Sequence, residues 1–142
     1  MDSITNVRDY LLKYKINPSY QRLVIMDYLI HYRTHPTAEE IYGALFEKIP
    51  TLSRTTVYNT LKLFAERGAL LTLGIDEKNV RFDINTSDHA HFRCLRCGKV
   101  EDIESEVPGG RVLQHEEGLR ITEKHVYYKG YCKTCVPFID KE

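Results

Sequence analysis

The chain has 142 residues, 42% hydrophobic and 28% charged, which is enough apolar material for a core and excludes disorder by composition. Lys and Arg balance Asp and Glu at 20 each, so no global basicity advertises a nucleic-acid partner. No apolar run approaches a membrane span and the start Met1-Asp2-Ser3 is unlike a secretory signal, so we expect a cytoplasmic protein with no membrane partner.

The first half reads helical. Ile4, Val7, Leu11 and Tyr14 recur at helical spacing until Asn17-Pro18 ends the run. Ser19 can cap a second helix with an apolar stripe of Val24, Ile25, Tyr28 and Leu29. Thr37 and Glu40 have the spacing of a capping box, and the helix they open should bury Ile41, Ala44, Leu45 and Ile49 before Pro50 stops it. Ser53 can cap a further helix ending near Gly68, with Val57, Leu61 and Phe64 on its inner side. Arg54, Thr55, Tyr58 and Asn59 lie near its start on another side.

After Gly68 the period shortens. Leu71, Leu73 and Ile75 and then Val80, Phe82 and Ile84 alternate about Asp76-Glu77-Lys78-Asn79, which predicts a β-hairpin. Helix, turn, helix, hairpin is the order of a winged helix-turn-helix, whose second helix presents its first residues to base edges in the major groove. Arg54, Thr55, Tyr58 and Asn59 are therefore the candidate DNA contacts. The competing reading is a small helical domain without DNA binding. A polar link over 86–93 separates this half from the rest, so we set a DNA-binding domain at 1–85 and a second domain at 86–142. There, Arg93–Ile103 and Leu119–Cys132 read as extended, around a short helix near Gly110–Glu117. The fold class expected is α+β.

The four cysteines form two C-x-x-C pairs, Cys94/Cys97 and Cys132/Cys135. Without a secretory signal, such pairs favour metal over disulfides, and four thiolates match a closed tetrahedral structural zinc site. Arg93, Arg96, Lys99 and Lys133 can offset its negative charge. A redox dithiol or unconnected thiols are the alternatives, although two pairs are not what a thioredoxin-like motif needs. The pairs are 34 residues apart, so a folded domain must bring them together.

The second constellation is His89-Ala90-His91. In an extended segment, residues i and i+2 face the same way, so both imidazoles can address one point. With His35 and the carboxylates of Asp83 and Asp102 they make a donor set suited to Fe(II), Mn(II) or Zn(II). Scattered surface residues are the competing reading. A zinc deaminase or hydrolase is disfavoured. The H-x-E glutamate is missing, since His91 follows Ala90, and no H-E-x-x-H, phosphate loop or G-x-S-x-G is present. We expect no enzyme. A zinc-ribbon interaction module would not need the Ser53–Gly68 helix or the hairpin.

His35-Pro36-Thr37-Ala38, Thr56-Val57-Tyr58-Asn59, Arg81-Phe82-Asp83, Ser87-Asp88-His89-Ala90-His91 and the two C-x-x-C pairs together resemble the ferric uptake regulator (Fur) family. Within it, the chain is most similar to peroxide-sensing repressors of the PerR type. The resemblance spans nearly the whole chain with the motifs in family order. It implies a homodimer with a winged-helix N-terminal half and a C-terminal α/β dimerisation domain, acting on a double-stranded DNA operator. It implies structural Zn(II) on Cys94, Cys97, Cys132 and Cys135, and a regulatory Fe(II) or Mn(II) on His35, Asp83, His89, His91 and Asp102. Tyr58 becomes a base-contacting residue, and His35 and His89 become the positions of iron-catalysed oxidation by hydrogen peroxide. Aspartate at both 83 and 102 favours the peroxide sensors, since iron-uptake regulators usually carry the longer glutamate there. The alternative is an iron- or zinc-responsive uptake regulator on the same scaffold. Two departures stand out. Ala90 and Gly109 occupy positions where iron-uptake regulators place ligands of a second site, leaving His125 alone, and the segment Glu101–Gly118 is shorter than usual.

Overall fold

The computed structural model describes residues 6–76, 78–87, 89–103, 118–120 and 124–139. The chain divides into two compact units, Met1–Ser87 and Asp88–Glu142. The helix expected near Gly110–Glu117, together with Ile4 and Gly109, lies outside the described residues.

The first unit begins with four helices, α1 (Val7–Lys13), α2 (Tyr20–His31), α3 (Ala38–Leu45) and α4 (Arg54–Glu66). Each opens on a side chain that accepts a hydrogen bond from a first-turn backbone N–H. Asn6 receives Asp9, Ser19 receives Arg22, Thr37 receives Glu40 and Ser53 receives Thr56. Such caps satisfy donors that the helix itself leaves open, each contributing about 1 kcal/mol. Helix α4 stops where Gly68 takes φ +83°, a left-handed conformation that costs glycine little.

The apolar stripes of these helices converge on one core of Leu11, Ile25, Met26, Leu29, Ile41, Leu45, Val57, Leu61 and Phe64, closed by Phe82 and Ile84 from the hairpin. Two expectations fail here. Helix α3 ends at Leu45, well before Pro50, because the chain tightens into a turn over 46–48 whose N–H groups bond back to Tyr42 and Leu45. Ala44 points outward, while Ala38 at the helix start takes the buried place.

The hairpin pairs β1 (Leu71–Leu73) with β2 (Arg81–Asp83), antiparallel, with Leu71 opposite Asp83. Its strands are shorter than the alternation predicts and its loop longer. Leu73 and Ile75 are buried as expected, but Val80 is 49% exposed, because it lies beyond the ladder, which ends at the Leu73–Arg81 pair. The unit is thus a winged helix-turn-helix, with α3 packed on α4 and the hairpin as the wing.

The second unit holds a three-stranded sheet in the order β4-β3-β5. Strands β3 (Ala90–Cys94) and β4 (Val100–Ile103) are antiparallel, and β5 (Tyr127–Gly130) runs parallel to β3. A helical turn, α5 (Val136–Ile139), follows the last cysteine and was not foreseen from the sequence. Helices and small sheets together make the α+β class expected. No described helix is long and apolar enough to cross a membrane.

Candidate metal centres and nucleic-acid interface

The cysteine cluster is built by strand pairing. The first pair forms the turn between β3 and β4, and Gly98 adopts φ +79° within it. The parallel register sets Cys94 opposite Gly130, and Leu95 N–H donates to Gly130 O at 2.7 Å. Cys132 follows two residues after Gly130, so a 34-residue separation is closed by one β pairing. A Cβ on Gly130 would sit 3.5 Å from the Phe92 ring, an ordinary packing distance.

The four Sγ atoms lie within 4.8 Å of one another, and Cys97 and Cys132 are 3.8 Å apart. Sulfurs at the corners of a tetrahedron, about 2.3 Å from a zinc ion, are about 3.8 Å apart. The set therefore fits a closed tetrathiolate site. The backbone N–H groups of Cys97 and Cys132 point at Cys94 Sγ at 3.5 and 3.4 Å. The Cys97 N–H is the main reason that the Cys94 thiol falls to about 6, with the N–H groups of Cys132 and Arg96 assisting against burial. At Cys135 the Arg96 guanidinium pulls downward, but burial and the other three thiols outweigh it and raise the group to about 11. One thiolate forms readily and a crowded neighbour resists, the conflict that a divalent cation resolves.

Of the four cations expected to offset this charge, Arg96 reaches a sulfur among the described residues. Its Nη1 donates to Cys135 Sγ at 3.5 Å while its guanidinium lies 4.2 Å from the Phe138 ring centroid. Lys99 is instead paired with Glu101.

The histidine–aspartate residues fall in both units. In the second, β3 and β4 place His91 directly opposite Asp102. His89, just before the strand, projects to the same side, and the two imidazole centroids are 4.3 Å apart. Asp102 Oδ1 lies 3.3 Å from His89 Nε2 and 3.4 Å from His91 Nε2. Both histidines are buried.

In the first unit His35 and Asp83 are both 5% exposed, with Nε2 and Oδ2 3.6 Å apart. The other Asp83 oxygen accepts the Asn85 N–H at 2.9 Å, which orients the carboxylate. His35 itself has φ +56°, a left-handed conformation uncommon outside glycine. The two His–Asp102 separations exceed a good hydrogen bond but match donors flanking one ion at about 2.1 Å, which are roughly 3.0–3.5 Å apart, and His35–Asp83 at 3.6 Å is slightly wider. Each unit thus carries donors suited to a first-row divalent metal.

Two residues near His35 escaped the sequence reading. Arg81 Nη1 donates to His35 O at 3.0 Å, and the same guanidinium pairs with Asp76. Arg81 belongs to the Arg81-Phe82-Asp83 string, so its presence was visible but its partners were not.

On α4 the candidate DNA contacts Thr55, Tyr58 and Asn59 are solvent-exposed, opposite the buried Val57, Leu61 and Phe64. Arg54 is exposed as well, but its Nε donates to both oxygens of Glu39 at 3.0 and 3.1 Å. Its guanidinium stacks 4.5 Å from the Tyr42 centroid, so it is anchored to α3. His125 Nδ1 is hydrogen-bonded with the Tyr127 hydroxyl at 3.2 Å.

The sequence model of the ferric uptake regulator family matches residues 13–128. The peroxide-responsive repressor PerR of Staphylococcus aureus is 39% identical over 119 residues, covering 81% of this chain and 79% of the relative. Among solved structures, PerR from Streptococcus pyogenes is 30% identical with a TM-score of 0.53, covering 95% of this chain and 94% of the other. The ferric uptake regulator of Vibrio cholerae reaches 0.71 at 24% identity, covering 89% and 100%, and so speaks to the fold alone. With the winged helix, the cysteine cluster and the histidine–aspartate donors in place, these similarities lead to one conclusion: the chain belongs to the ferric uptake regulator family.

Proposed function

We propose that this protein is a homodimeric, metal-dependent transcriptional repressor, not an enzyme, that releases its DNA operator when hydrogen peroxide oxidises its regulatory metal site. The observation that carries this reading is the division of the donors: His35 and Asp83 belong to the winged-helix unit, whereas His89, His91 and Asp102 belong to the other. Five ligands on one ion would require the units to adopt one relative orientation. That orientation would set the spacing of two recognition helices to two operator half-sites. To drive a dimer from mostly open to mostly closed, the differential affinity must be about 5 kcal/mol.

Cys94, Cys97, Cys132 and Cys135 hold structural Zn(II) in this reading, and the exposed face of α4 with Arg54, Thr55, Tyr58 and Asn59 meets the DNA. Bound Fe(II) would supply the redox chemistry by which one peroxide oxygen is inserted into an imidazole C–H and the other leaves as water. The chain contributes His35 and His89 as the acceptors of that oxygen. An oxidised ring is a poorer ligand, so the site opens and the DNA is freed. The name of the Staphylococcus aureus relative and the paired aspartates support peroxide over metal level as the signal.

Binding to a palindromic AT-rich operator with Mn(II) or Fe(II), before and after a small dose of peroxide, tests the proposal. Release from the Fe(II) form alone, with one oxygen gained on the His35 or His89 peptide, is expected. If both forms stay bound and no histidine is modified, the protein is an iron- or zinc-responsive uptake regulator instead.

A further inference from the structure

The wing and a proposed metal ligand share one guanidinium. Residues 74–76 and 78–80 belong to the wing loop, where Asp76 Oδ1 accepts the Lys78 N–H at 3.0 Å, fixing the local turn. Asp76 Oδ2 receives Arg81 Nε at 3.2 Å and Nη2 at 3.1 Å. Both side chains are largely buried, 7% and 17% exposed, so the pair is shielded from solvent. Arg81 Nη1 then donates to the carbonyl of His35 at 3.0 Å. The neighbouring peptide is tied down too, because Phe82 N–H donates to Pro36 O at 3.0 Å and Thr37 bridges to Arg81.

Two physical features make this contact more than a staple. A guanidinium is a rigid planar fork, so turning it to follow Asp76 swings the edge that holds His35. The carbonyl it grips belongs to a histidine with φ +56°, a conformation that persists only where the surroundings hold it.

We infer that Asp76 and Arg81 are positioning residues that couple the wing to the regulatory metal: they hold the His35 backbone in its ligating conformation, and metal occupancy at His35 orders the wing through them. This rests on His35 being a metal ligand. Linkage is reciprocal, so a wing ordered against DNA would in turn tighten the metal.

The test uses the full-length, zinc-loaded chain. Mn(II) affinity and amide hydrogen exchange over 74–80, with and without saturating Mn(II), are measured for wild type, Asp76→Asn, Arg81→Lys and His35→Ala. Asp76→Asn keeps the acceptor for Lys78 N–H, and Arg81→Lys keeps the charge, while neither can reproduce the paired fork. We expect Mn(II) to slow wing exchange in wild type. In both positioning variants, affinity should fall about tenfold, the scale of outer-shell losses, and the slowing should vanish even at saturation, with thermal stability of the helical unit little changed. Wild-type affinity together with undiminished slowing in both variants overturns the coupling. Wild-type affinity in His35→Ala shows instead that the ligand assignment is wrong, and the coupling falls with it.

Discussion

Removing the metal from the cysteine cluster should unfold the second unit and leave the first standing. Among the described residues of 88–142, Cys94, Cys132 and Cys135 form a buried cluster with Phe92 packed against it, and beside them Ala90 and Val100 are the other buried apolar side chains. Three of the four proposed zinc ligands are thus a large part of the buried interior of the described residues. At about 0.05–0.15 kcal/mol per residue, a unit of this length has roughly 3–8 kcal/mol of stability in total. A structural zinc contributes about 10–16 kcal/mol in small domains, which exceeds that whole sum. Chelation under reducing conditions, or Cys94→Ser, should therefore abolish amide protection over 89–103 and 127–139. Reductant is needed because Cys97 and Cys132, with sulfurs 3.8 Å apart, could otherwise substitute a disulfide for the ion. Hydrogen exchange read by mass spectrometry resolves the two units in one experiment, with α2 and α4 as internal controls. If the reduced, zinc-free chain keeps β3 and β4 protected, the sheet is stable by itself and the cluster is not its keystone.

Three further outcomes follow from particular residues. Asp102→Ala removes a carboxylate that lies within 3.4 Å of both His89 and His91, so Mn(II)-dependent DNA binding should be lost while zinc content, read by a chelating dye, is unchanged. Tyr58→Ala and Asn59→Ala should each weaken operator binding by about 1–3 kcal/mol in a fluorescence anisotropy titration, with melting temperature nearly constant because both side chains are exposed. Gly68→Ala meets no atom within 4 Å, so its penalty is conformational: about 1 kcal/mol from φ +83°, visible as a lowered denaturation midpoint with unchanged metal binding.

Helix starts were legible because they depend on local chemistry. Ser19, Thr37 and Ser53 each accept the N–H three residues on, a bond that needs nothing distant. Helix ends were less so. Pro50 is a conspicuous breaker, but the turn at 46–48 that ends α3 earlier has no equally strong marker. Val80 fits an alternating pattern, yet ladder length is decided by pairing, and β2 starts only at Arg81.

The cysteine pairs advertise their chemistry by spacing, whereas their convergence depends on the β3–β5 register, which no local pattern encodes. His89 and His91 declared themselves through the two-residue strand period. Asp102 was visible as a nearby carboxylate five residues after Cys97, but only cross-strand pairing shows why it faces them. Asp76 and Arg81 were invisible as a pair because charged residues on a hairpin ordinarily face solvent.

The left-handed backbone at His35 has a consequence for how such a chain drifts. An L-residue with a Cβ sits there at a cost of about 1–2 kcal/mol, and asparagine or glycine would be more comfortable. Considered for folding alone, His35 is a poor choice, and its replacement by glycine should stabilise the metal-free winged helix. A lineage released from metal sensing would be expected to abandon this histidine early. If His35 ligates the metal as proposed, the strain it carries in the metal-free fold is the cost of that role, expressed in a backbone angle.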